Sequence, residues 1–239
     1  MIHAVLTIDD IPSKITRDMI DYLVSKNIQV IMFAVGSWGG DYRDNAVYAL
    51  QNGMIVGNHS FTHPHFSELT IEECIEEIEK NEEFLDKLYE EAGVERRYRP
   101  FRFPYGDQGG DNKEALQEYF RTHGFDKVDD SGITAPEWKA EGHDRDIDTL
   151  WTFDFEEYRI RPDSGFTKED VWAKMEDPKP AYGFPLFCDG FRHLLITHAH
   201  DETEALYPGY YKDFIERMIE GGVVFEKPKF IRQQQVALP

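Results

Sequence analysis

Two adjacent carboxylates, Asp9 and Asp10, follow the apolar run that opens the chain. Parallel α/β barrels gather their active sites at the carboxyl ends of strands, and neighbouring acids there repel one another unless something neutralises them. A cation would do so; capping of the turn before Pro12 is the plainer alternative for the pair taken alone. A second cluster, Gly57-Asn58-His59-Ser60-Phe61-Thr62-His63-Pro64-His65, offers three imidazoles just after another apolar run. Imidazole suits zinc and its neighbours. His59 and His63 have the spacing of two ligands on one helical turn, yet Pro64 disfavours α geometry at His63 and predicts a turn-like helix terminus. Together with the acids, this pair favours a divalent metal over structural histidines. One carboxylate and two imidazoles leave coordination positions open for water and substrate, as a catalytic site requires.

The elements that must position these residues follow from periodicity. Residues 2–8 read as a strand, Pro12 and Ser13 introduce a helix carrying Ile15, Met19, Ile20, Leu23 and Val24, and Gln29 to Val35 is a second strand. This β-α-β unit implies a parallel sheet. A helix over 43–52 stops at Gly53, Met54 to Val56 forms a short strand, and Thr70-Ile71-Glu72-Glu73 is a capping box. The helix it opens should bury Ile71, Cys74, Ile75, Ile78, Leu85 and Leu88, with its glutamates and lysines as a solvated face. Further strands are predicted near 99–103, 125–128, 149–153, 193–197 and 222–225, and helices near 112–122, 167–175 and 208–220. The sum is a distorted (β/α) TIM-like barrel with seven or eight parallel strands, although a doubly wound open sheet has the same periodicity. Residues 129–148 and 176–192 lack a period and are predicted to be long loops. At 239 residues the chain, 1–239, is expected to be one catalytic domain.

Composition narrows the partners. Lysine plus arginine total 26 against 46 acidic residues, and the net charge of −20 repels nucleic acid and anionic lipid headgroups. No apolar run approaches the ~20 residues needed to span a bilayer, so no membrane insertion is expected. Cys74 and Cys188 are expected to be free thiols. The opening Met-Ile-His-Ala-Val lacks a basic region followed by an apolar one, so the chain as written is expected in the cytoplasm, or secreted if a leader has been removed.

Along its length the chain resembles the polysaccharide deacetylase family, also called the NodB-homology domain or carbohydrate esterase family four. Thr7-Ile8-Asp9-Asp10 is similar to the first family motif and His59-Ser60-Phe61-Thr62-His63 to the second. Arg102-Phe103-Pro104-Tyr105-Gly106 resembles the third, Trp151 to Tyr158 loosely the fourth, and Ile196-Thr197-His198 the fifth. The resemblance implies a metal-dependent hydrolase that removes N-acetyl or O-acetyl groups from a carbohydrate. It implies Asp10, His59 and His63 as metal ligands, and Asp9 as the base for a metal-bound water, tethered by Arg102. The backbone N–H of Tyr105 would meet the oxyanion, and His198 would protonate the leaving group. Where the family has an Asp followed by Trp, this chain has Glu157-Tyr158. Either Glu157 or Asp154 is then the partner that orients His198. Tyr158, Ile196 and Trp151 would wall the substrate, since sugar rings present apolar faces that aromatics cover. Zinc is the first expectation, with cobalt, nickel or manganese also accepted by such a site.

Two other readings use the same residues. An amidohydrolase of the same superfamily could act on a small non-glycan amide, and a non-catalytic carbohydrate-binding protein could keep a vestigial metal site. The sequence carries no statement about oligomeric state.

Overall fold

A computed structural model describes residues 1–180 and 183–231. In chain order the elements are β1 (Ile2–Ile11), α1 (Thr16–Ser25), β2 (Ile31–Ala34), α2 (Gly39–Gln51), β3 (Ile55–Asn58), α3 (Ile71–Ala92), α4 (Lys113–Thr122) and β4 (Lys127–Val128). There follow α5 (Pro136–Ala140), β5 (Phe153–Asp154), α6 (Lys168–Glu176), β6 (Arg192–His198), α7 (Asp201–Leu206), α8 (Tyr210–Glu220), β7 (Val223–Phe225) and β8 (Phe230–Ile231).

The main sheet runs β3-β2-β1-β6-β5, with β7 also paired to the start of β1, and every one of these pairings is parallel. The alternation of strand and helix is the one read from the sequence. Among the described residues the sheet does not close on itself. Where a strand is predicted near 99–103, Phe101 makes one parallel bridge to Asn58. Lys127–Val128 pairs antiparallel with Phe230–Ile231 instead of joining the parallel sheet. The predicted strand at 149–153 is reduced to Phe153–Asp154, because the preceding carbonyls of Thr149 and Leu150 turn to accept hydrogen bonds from Arg102.

β1 is buried on both faces, as a central parallel strand must be. Ala4, Leu6 and Ile8 pack with Met19, Ile20 and Leu23 of α1 and with Phe214, Ile215 and Met218 of α8. Val5, on the alternate face, packs with Ile31, Phe33, Leu194 and Trp138. Asp9 continues that second row, so its carboxylate emerges on the face opposite the helices that cover Ile8. In the β1–β6 register Asp9 stands opposite His198.

Helix α3 is capped as predicted: Thr70 Oγ1 accepts from the Glu73 N–H at 3.2 Å and Glu73 accepts from the Thr70 N–H at 2.8 Å. Its stripe differs in part. Cys74, Ile78, Leu85 and Leu88 are buried, Ile71 and Ile75 only partly, and two polar residues, Asn81 and Glu82, are buried among them. The 129–148 stretch contains α5, while 176–192 is largely irregular, with residues 181 and 182 outside those described. Both cysteines are free. Among the described residues no helix is long and apolar enough to cross a membrane.

Candidate metal and active site

A cleft of about 430 Å³ opens at the carboxyl ends of β1, β3 and β6, and Asp9, Asp10, His59, His63 and His198 all line it. The segment after β3 is folded by its own polar groups. Asn58 accepts the Ser60 N–H through Oδ1 at 2.8 Å, and Ser60 Oγ accepts the His63 N–H at 3.0 Å. Asn81 reaches up from α3 to donate to Asn58 Oδ1 at 2.8 Å, and Glu77 accepts from the N–H groups of Phe61 and Thr62 at 3.0 and 2.7 Å. These contacts hold Ser60 and His63 at φ of 63°, a region that side chains with a Cβ enter only when the surroundings enforce it. Asp10 (φ 66°) and Tyr105 (φ 59°) share that conformation.

His59 is fully enclosed, and its Nδ1 lies 2.8 Å from the Arg102 carbonyl. Nδ1–H therefore donates to that carbonyl, and the Nε2 lone pair is turned into the site. Burial holds the His59 pKa below the usual imidazole value despite the Asp9 and Asp10 carboxylates, so the ring is neutral and able to ligate. Asp10 behaves oppositely. Burial would raise its pKa, but contacts from His200 and His63 prevail and hold it well below the usual carboxylate range. Asp10 Oδ1 is 3.3 Å from His63 Nε2 and 3.6 Å from His59 Nε2, close enough for charge contact, yet it is buried and accepts no hydrogen bond. One donor atom from each of Asp10, His59 and His63 lies within 4.8 Å of the other two. An orphaned carboxylate oxygen beside two imidazoles, one with its lone pair already aimed, fits a divalent cation.

Asp9 faces the same space with a different partner. Arg102 is fully buried and donates to Asp9 Oδ1 at 2.7 Å and to Thr7 Oγ1 at 2.6 Å, while its Nε donates to the Thr149 carbonyl at 2.8 Å. Its guanidinium lies over the Phe33 ring at 4.5 Å. Held on three sides, it fixes one Asp9 oxygen and leaves Oδ2 3.4 Å from His59 Nε2.

Across the cleft, Glu157 Oε1 lies 3.1 Å from His198 Nδ1 and accepts from Thr197 Oγ1 at 2.8 Å. Glu157, rather than Asp154, therefore touches the ring nitrogen. The His198 pKa is pushed up to about 10: burial opposes the charge, and the adjacent Glu157, then Asp154 and Asp10, outweigh it. Glu157 is held below its usual value, burial being overcome by His198 and Thr197. Asp154 lines the cleft, its pKa raised to about 6 chiefly by burial.

Tyr158 stands edge-on to His198 at 4.9 Å, and Ile196 and Trp151 complete that wall. Trp151 also dictates a glycine: at Gly106, φ is 66° and a Cβ would come within 2.7 Å of the indole. Tyr105, 61% exposed, stacks on His65 at 4.0 Å and meets His63 edge-on at 4.6 Å. Trp138 lies in the core, its Nε1 donating to Asp130 at 2.8 Å.

The structure thus brings together Asp9, Asp10, His59, His63, Arg102, Tyr105, Trp151, Glu157, Tyr158, Ile196 and His198. It adds His200, which by its place beside His198 could join the metal shell or bind sugar and whose Nε2 is 2.6 Å from Asp10 Oδ2; Arg161 and Trp38 also line the cleft, and the sequence did not single them out. His198 and His200 alternate along the chain and share a face because extended backbone continues past the end of β6 to His200. Arg161 lies in an irregular segment and carries no comparable signal.

Residues 2–126 match the family described as polysaccharide deacetylase. The chain is 33% identical over 104 residues to the peptidoglycan-N-acetylmuramic acid deacetylase of Bacillus subtilis, a match covering 42% of this chain and 21% of that protein. It is 29% identical over 103 residues to a peptidoglycan-N-acetylglucosamine deacetylase of Bacillus cereus, covering 43% of this chain and 36% of that one. The matched stretch therefore spans less than half the length of either relative. A crystal structure of a polysaccharide deacetylase from Bacillus cereus superposes with a TM-score of 0.61 at 21% identity, covering 94% of this chain and 90% of that chain. This likeness carries the fold, the (β/α)-barrel-like architecture of such deacetylases.

Proposed function

The chain belongs to the polysaccharide deacetylase family, and on that premise we propose that it hydrolyses acetyl groups, N-acetyl foremost, from an acetylated carbohydrate. What carries the reading is one cleft in which Asp10, His59 and His63 converge beside the Arg102-tethered Asp9 and opposite the Glu157–His198 pair. Asp10, His59 and His63 would hold the divalent cation, zinc first, which when bound would acidify water and polarise the acetyl carbonyl. Asp9, kept in place by Arg102, takes the proton of the attacking water through its free oxygen. His198, charged and oriented by Glu157, delivers a proton to the departing nitrogen or oxygen. The Tyr105 N–H meets the developing oxyanion. Ile196, Trp151 and Tyr158 enclose the acetyl methyl and exclude water from it.

The test is acetate release from a panel of acetylated oligosaccharides and small amides, before and after chelation and after metal is restored. Chelation should abolish release from the glycans and added zinc or cobalt should return it. Full activity in metal-free protein would refute the reading, and release from small amides alone would move the substrate off glycans. Asp9→Asn should lower kcat by about 10²–10⁴-fold while metal affinity stays within a few-fold, measured by turnover and by cobalt titration.

A further inference from the structure

We propose that His200 positions the metal ligand Asp10, and that Arg161 sets which of its ring nitrogens does so. The inference rests on Asp10, His59 and His63 holding a cation. Arg161 Nη2 lies 3.0 Å from His200 Nδ1. A guanidinium has hydrogens to give and no lone pair, so Nδ1 must accept. The ring's own hydrogen is then on Nε2, directed at Asp10 Oδ2, 2.6 Å away. His200 has no lone pair left facing the site and acts on the cation only through Asp10.

Three observations give this contact work to do. Asp10 sits at φ 66°, inside the irregularity of β1 between Ile8 and Ile11 where the register with β2 shifts. Its second oxygen, Oδ1, has no hydrogen-bond partner and faces His59 and His63, so tying Oδ2 selects the oxygen left for the metal. Arg161 is itself braced: Nη1 donates to the Ile160 carbonyl at 3.1 Å and to Thr203 Oγ1 at 2.8 Å, and Nε pairs with Glu202 at 2.9 Å. A chain from α7 through Arg161 and His200 thus reaches Asp10, while Asp9 is governed separately by Arg102. Outer partners of this kind fix ligand orientation in metal sites and raise affinity.

The experiment is cobalt titration of metal-stripped protein, followed by visible absorption, with circular dichroism as the check on folding. His200→Ala should bind cobalt about 10–100-fold more weakly. His200→Gln can place an N–H against Asp10 Oδ2 and should recover affinity to within a few-fold, with the cobalt bands of wild type. Arg161→Met, which frees the ring to turn, should weaken binding in the same direction. Wild-type affinity in His200→Ala or in Arg161→Met overturns the proposal. So does a His200→Gln variant no better than His200→Ala, or one with shifted cobalt bands, which would make the imidazole itself a ligand. A wild-type protein that takes up no cobalt or zinc refutes the three-ligand site and this proposal with it.

Discussion

Glu157 does for His198 what Arg102 does for Asp9: each is fully buried and each fixes one atom of the group it supports. The carboxylate keeps His198 protonated to about 10, so the acid form survives through neutral pH. Glu157→Gln removes the charge and returns the imidazole toward its ordinary value near 6.5. On the proposed mechanism the protonated form is the useful one, so activity should then fail at lower pH: the alkaline limb of kcat/KM should move down by at least one pH unit. An unmoved limb would separate Glu157 from that role. At this level the convergence of residues in the cleft was legible wherever a short motif supplies them, as for Asp9, Asp10, His59 and His63. It was less so for Glu157, since a longer acid with Asp154 nearby leaves two partners that only the turn at 157–159 separates.

The segment from His59 to His63 owes its shape to α3 more than to β3. Glu77, which by periodicity belongs to a solvated face, gathers the N–H groups of Phe61 and Thr62 and the Thr62 hydroxyl. Asn81 donates instead, to Asn58 Oδ1 and to the Ala34 carbonyl. Glu77→Ala should therefore cost about 1–3 kcal/mol of stability and weaken metal binding, because Ser60 and His63 lose the support for their positive φ. Urea unfolding and cobalt titration on the same variant check this, and an unchanged metal affinity would show that the segment keeps its shape without Glu77. A hydrophobic pattern marks which face of a helix is covered, but an acid that caps a loop has the same pattern as one that faces water. That is why the cap of α3 and most of its apolar stripe could be read from the sequence and its part in the site could not.

The parallel sheet and its helices were legible because β1, β2 and β6 each carry an apolar centre and their order of strand and helix admits few topologies. The pairing of β4 with β8 was not, since two-residue strands carry no period. The interior also stores a sensitivity to acid at His193 in β6. It is fully buried beside Thr152, and burial pushes its pKa down to about 4. The unfolded chain accepts a proton near 6.5 that the folded one refuses, so this stability is whole above 6.5 and is lost as pH falls toward 4. At about 1.4 kcal/mol per pH unit the loss reaches up to about 3 kcal/mol. Urea midpoints at pH 7 and 4.5 should converge for His193→Gln relative to wild type; parallel losses in the two proteins would assign the acid sensitivity elsewhere.

The register that sets Asp9 opposite His198 also orders events in time. β1 contributes one side of the cleft and β6 the opposite side, with the motif histidines between them. A ribosome must therefore deliver the chain through β6 before the cleft exists. Closing that contact is a long-range step of the kind that slows folding. Appearance of the assembled cleft during refolding would report the completed sheet, and partly synthesised chains would be inert toward substrate.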